Sequence, residues 1–131
     1  TEYRQVLQDD IGFYMANVRL AGIYEAQKDY PYAVQERVNA INANPDDPSL
    51  LLDLGVTLGK AGMMPQAEDK LRQATEGNPR DSRAWFWLGM AEMEEGKRDE
   101  ARDSFNRFVS LAPSRYDRQI VMAKERLAQL K

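Results

Sequence analysis

Three prolines, each behind Asn or Ala, stand 34 residues apart: Asn44-Pro45, Asn78-Pro79 and Ala112-Pro113. A unit of that length holds two helices and a turn, too little to bury its own apolar face, so successive copies must stack on one another as a solenoid. Aligning on the prolines brings further residues into columns. Leu20, Leu54 and Leu88 share one, Ala21, Gly55 and Gly89 the next, and Ala33, Ala67 and Ala101 a third. A small residue where two helices cross lets the backbones approach while leucine fills the space beside it, which predicts antiparallel helix pairs.

The punctuation places the helices. Asp47 before Pro48 and Asp81 before Ser82 can accept first-turn amide hydrogen bonds, and proline suits the first helical position. Gly62 and Gly96 can take the left-handed conformation just past a helix end. These marks predict helices over 14–28, 31–43, 48–61, 64–76, 82–95 and 98–111. Tyr3, Val6 and Leu7 stand one period before Arg37, Ala40 and Ile41, so residues 2–9 read as the end of a preceding repeat's second helix and the chain as a piece of a longer array. At the other end Ser114-x-x-Asp117 resembles a capping box, and Ile120, Ala123, Leu127 and Leu130 form one apolar stripe, as a terminal capping helix requires. The expected organisation is one all-α domain: repeats over 14–47, 48–81 and 82–113, then a capping helix over 114–131.

Composition removes most chemistry. With 43% hydrophobic and 30% charged residues and a net charge of −3, the 131-residue chain falls among soluble globular domains. It has neither cysteine nor histidine, which removes disulfides, thiol nucleophiles, zinc-finger ligands and the commonest general base. The lack of cysteine suits cytosol and oxidising periplasm alike. Apolar runs such as Leu50-Leu51-Leu52 fall far short of the roughly 18 residues of a membrane span. Glu92, Glu94 and Glu95 point in different directions around one helix and read as a solvated face, while Asp46-Asp47 lies at a helix start, where carboxylates complement the dipole. The mixed signs of Lys97-Arg98-Asp99-Glu100 make a charged turn and no phosphate-binding patch. No catalytic, cofactor-binding or metal-ligating set is expected, and neither is a nucleic-acid partner or membrane insertion.

Trp85, Leu88, Gly89, Ala101, Phe105 and Pro113 together resemble the tetratricopeptide repeat family. The second unit matches through Leu51, Leu54, Gly55, Ala67, Leu71, Ala74 and Pro79, whereas the first departs at Asn17 and Arg37, where large apolar residues are usual. The resemblance implies a right-handed superhelical solenoid of antiparallel helix pairs whose first helices line a concave face that holds peptides. Projected onto this sequence, the expected partner-binding residues are Arg19, Leu52, Asp53, Val56, Arg83, Phe86, Trp87, Met90 and Met93. The apolar members are expected to form an exposed stripe of the kind that marks contacts. Trp85 falls in the family's buried column, and Trp87, two residues on, faces elsewhere. One subgroup grips C-terminal carboxylates with Lys and Asn, Asn, then Lys and Arg; here Val18, Gly22, Asp53 and Trp87 replace four of these, leaving Arg83. The function expected is a non-catalytic scaffold binding an apolar or amphipathic peptide. The competing reading is a structural module whose stripe is covered by a second copy or by neighbouring repeats.

Overall fold

The computed structural model describes residues 10–130. Its helices are α1 Asp10–Ala26, α2 Tyr30–Ala43, α3 Pro48–Lys60, α4 Met64–Gly77, α5 Ser82–Glu94, α6 Arg98–Leu111 and, after a 3-10 turn at Ser114–Tyr116, α7 Asp117–Gln129. No strand occurs among the described residues, and none of their helices is long and apolar enough to cross a membrane. Each helix packs on its successor, and α3 also touches α5, so the hairpins α1/α2, α3/α4 and α5/α6 stack and α7 closes the end. Helix ends fall within two residues of expectation except at the start of α1. No proline interrupts Asp10–Phe13, and a lone Gly12 costs a helix only about 1 kcal/mol, so α1 runs on toward the N-terminus. The segment 2–9, expected to end an earlier repeat, lies outside the described residues.

Local chemistry fixes the ends. Asp47 accepts from the Ser49 amide at 3.0 Å and Asp81 from the Arg83 amide at 3.1 Å, each leading its helix as expected. Ser114 does not cap α7: the 3-10 turn, closed by the Tyr116 amide on the Pro113 carbonyl at 3.0 Å, intervenes and the helix starts at Asp117. The three hairpin turns share one hydrogen-bond pattern. Asp29, Met63 and Lys97 donate to the carbonyls of Tyr24, Leu58 and Glu92 at 2.8, 2.9 and 2.9 Å. The residue before each donor is left-handed: Gly62 at φ 82°, Gly96 at φ 76°, and in the first hairpin Lys28 at φ 60°. Only there does a side chain sit in a conformation that favours glycine.

The predicted small-residue columns are the crossings. A Cβ on Gly55 would lie 2.5 Å from Leu71 Cγ, and one on Gly89 2.9 Å from Phe105 Cε1; Ala21 is fully buried at the same place. Two apolar cores flank these points. One gathers leucines of α3, α4 and α5, including Leu54, Leu58, Leu71 and Leu88; the other joins Phe86, Phe105 and Phe108 to Ala123 of α7 and to Leu130 just past its end. Trp85 packs against both, with its indole N–H donated to the Pro79 carbonyl at 2.7 Å and the Arg107 guanidinium 4.9 Å above its ring.

Lys28→Gly is expected to stabilise the chain by about 1 kcal/mol through relief of the left-handed side chain, partly offset by the entropy of the new glycine. Gly89→Val, by contrast, is expected to destabilise it by about 1–3 kcal/mol, because Phe105 has no space to yield. Urea denaturation reads both, and an unchanged midpoint for Gly89→Val would refute the close crossing.

Candidate functional site

The residues expected to line a groove lie on the first helices of the hairpins, α1, α3 and α5. A hollow of about 200 Å³ lies between α3 and α5, with Gly55, Val56, Gly59, Trp87 and Met90 in its walls and Met64 and Leu71 of α4 behind. Of the two glycines one turn apart on α3, Gly55 has its Cβ space filled by Leu71, whereas Gly59 meets nothing closer than Ala67 Cβ at 4.0 Å and leaves the wall open; Lys60 and Glu94 also line the hollow. Beside it lies a second hollow, also about 200 Å³, bordered by Glu25, Arg37, Leu52, Asp53, Val56, Arg83 and Trp87. Val56 and Trp87 thus form the ridge between an apolar and a charged depression. Trp87 is 38% exposed.

Of the nine residues projected onto the groove, Val56, Trp87 and Met90 come together in the apolar hollow, and Leu52, Asp53 and Arg83 border the charged one. Arg19 is exposed but lines neither. Two members of the expected exposed stripe need correction. Phe86 is only 4% exposed, with its ring centroid 5.0 Å from Phe108 and 6.3 Å from Phe105, because one step of about 100° around α5 turns it toward α6 and α7. Leu52 is likewise buried and belongs to the core between α3 and α5. Met93 is half-buried against the Phe86 core.

A polar network beneath the charged hollow joins the first two hairpins. Arg37 of α2 donates through Nε to the Thr57 hydroxyl at 3.2 Å, Thr57 bonds Glu25 of α1, and Lys60 Nζ reaches Glu25 at 2.9 Å. Arg37 also lies 3.7 Å from both Glu25 and Asp53. Burial raises the Glu25 carboxyl, but the bonds from Thr57 and Lys60 and the charges of Lys60 and Arg37 outweigh it and hold the group below the ordinary glutamate range. The next junction has its own network. Glu92, expected to be solvated, is buried: Ser104 donates to it at 2.6 Å and Arg72 at 3.4 Å. Burial dominates there and lifts the Glu92 carboxyl above its usual range despite those donors. Glu68 is buried too, and Lys97 and Arg72 hold it at 2.7 and 2.9 Å. Sequence reasoning missed both networks, although an arginine in an otherwise apolar column signalled that Arg37 needed a partner. Among the described residues, no cluster of three or more acidic side chains is arranged to hold a metal ion.

The crossings, glycine turns and stacked hairpins are matched by a tetratricopeptide repeat family model over residues 52–116, from within α3 through the 3-10 turn. The chain belongs to the tetratricopeptide repeat family. Human protein O-mannosyl-transferase TMTC1 is 29% identical over 115 residues, and the match covers 85% of this chain but only 12% of that protein. Two solved structures share the fold. The first tetratricopeptide domain of Spaghetti (RPAP3), bound to the HSP90 peptide SRMEEVD, has a TM-score of 0.80 at 20% identity, over 89% of each chain. The Yersinia enterocolitica type III secretion chaperone SycD, in complex with a peptide of the translocator YopD, has a TM-score of 0.82 at 15% identity, over 87% of this chain and 88% of that one. Identities this low establish a shared tetratricopeptide architecture and nothing about the ligand.

The half-buried Glu25 and the buried Glu92 respond to pH in opposite senses. Glu25, with its folded pKa depressed, contributes stability above its unfolded pKa and loses it as pH falls through the folded value. Glu92, with its folded pKa raised, contributes stability below its unfolded pKa and loses it as pH rises through the folded value. Glu25→Gln is therefore expected to be less stable than wild type at neutral pH and to converge on it in acid, while Glu92→Gln gains on wild type as pH rises from acid to neutral. Urea denaturation across that range tests this; difference curves flat with pH would rule it out.

Proposed function

We propose that this chain is a protein-interaction module that seats an apolar or amphipathic peptide segment on the ridge formed by Val56 and Trp87, with one side chain entering the hollow walled by Met90. The observation that carries the reading is Trp87, a large aromatic side chain 38% exposed beside an apolar hollow of about 200 Å³. Exposed aromatics next to an unfilled apolar pocket are where binding energy concentrates in interfaces. Asp53 and Trp87 stand where the carboxylate-gripping subgroup needs Asn and Arg, so a C-terminal carboxylate is a poorer occupant than an internal apolar segment. The peptide complexes formed by structures of this fold support a scaffold role, and the residues on the ridge support the choice of ligand.

The test is a titration with candidate partner peptides, followed by tryptophan fluorescence. Trp87→Ala is expected to weaken binding about tenfold or more while helicity is kept, and Asn106→Ala, an exposed position on α6, to leave it unchanged. Equal affinity for both variants would remove the ridge from consideration. Light scattering on the free chain distinguishes the self-association reading: a dimer broken by Trp87→Asp would mean that a second copy fills the hollow.

A further inference from the structure

Beyond the N-terminal end of α5 lies an open polar basin of about 410 Å³, bordered by the turn at Arg80–Arg83 and by residues of the segment from Leu111 to Tyr116. Three arginines line it: Arg80, Arg83 and Arg115. Asp81 is the one carboxylate in its wall, and Arg83 occupies both of its oxygens at 3.0 and 2.8 Å. Arg80 and Arg115 form no ion pair among the described residues. Arg115 is steered by the Tyr116 ring, 5.2 Å from its guanidinium carbon, and Arg80 by a turn in which its amide bonds the Asn78 side chain at 3.3 Å. The basin thus holds two uncompensated guanidinium groups on a chain whose net charge is −3. A local positive site on an acidic molecule attracts an acidic segment without making the whole surface a polyanion binder.

We propose that this basin binds the acidic side chains that flank the apolar segment of the same peptide, through Arg80 and Arg115; the proposal rests on the reading of the Trp87 ridge above. Guanidinium forks match carboxylates in a bidentate geometry that neutral side chains cannot supply. Continuity favours one ligand for both places. Arg83 walls both the basin and the charged hollow, and Val56 and Trp87 wall both hollows, so the three depressions run in series along α5. From Met90 to Arg83 the helix rises roughly 10 Å at 1.5 Å per residue, a distance that about three residues of extended peptide span. The ligand therefore carries Asp or Glu about three to five positions from its apolar anchor, and it lies with that acidic flank toward the start of α5.

Two probes test the assignment on the full chain: hexaglutamate, and the same acidic run joined through four residues to a leucine-rich anchor. In NMR titrations hexaglutamate is expected to shift the amides of residues 80–83 and 114–116, and the anchored peptide to bind about tenfold tighter through its second contact. Arg80→Glu combined with Arg115→Glu should abolish the first effect and the gain from the acidic run, with Arg80→Gln/Arg115→Gln as the milder substitute if charge reversal impairs folding. Trp87→Ala should remove only the gain from the anchor. Unmoved basin amides, equal binding by the double variants, or inorganic phosphate competing as well as hexaglutamate would overturn the basin, whatever Trp87→Ala does. If the basin amides move but the anchored peptide binds the wild-type chain no tighter than hexaglutamate, or its gain survives Trp87→Ala, the ridge falls instead, together with the link between the two sites.

Discussion

The second and third hairpins are each held at a crossing where no side chain fits, the first at one that admits only the methyl group of Ala21, and the rest of the architecture follows from that close approach. At Gly55 the space a Cβ needs is taken by Leu71, and at Gly89 by Phe105. The same two side chains are also fully packed members of the cores on either side of α5. Filling a crossing with a side chain would therefore displace a core residue as well as separate two helices. Because the crossings set how the pairs stack, they also set how α3 and α5 lie together, which is what brings Val56 and Trp87 onto one ridge.

The two junctions between hairpins are built differently. The third hairpin meets the second through leucines and the Trp85 ring, with Glu68 and Glu92 satisfied inside the junction by Lys97, Arg72 and Ser104. The first hairpin contributes alanines to the interior, Ala16, Ala21, Ala33 and Ala40, with Asn17 buried beside them. Alanines remove little apolar area from water, and stabilisation scales with area at about 25 cal/mol per Å². There the Glu25, Arg37 and Thr57 network, together with Val34, Val38 and Ile41 packed on the leucine core, carries more of the attachment.

This difference explains what could be read from the residues alone. Helix ends, glycine turns and crossings obey rules acting within one repeat, and three aligned copies made them legible. Lys28 was hidden because its left-handed turn lacks the glycine that marks the other two. The networks were hidden for another reason: Arg37 finds Thr57 twenty residues later and Glu92 finds Arg72 twenty residues earlier, separations that no local pattern encodes. For the candidate site, column counting assigned each residue a direction on its helix but not what covers it. Phe86 and Trp87 are adjacent, yet α6 and α7 close over the first and nothing described closes over the second.

That adjacency is also what makes the ridge rigid. The Trp87 ring stands edge-on to Phe86, with centroids 5.3 Å apart at 85°, and Phe86 is in turn fixed by Phe105 and Phe108. On the other flank of Phe86, Trp85 is tied to the Pro79 carbonyl and wedged between both cores. An exposed aromatic backed in this way loses little rotamer freedom when a ligand covers it, so more of the contact energy remains as affinity. The core of the third hairpin and the candidate binding surface are accordingly one object: the interactions that hold α5 in place are those that hold Trp87 out.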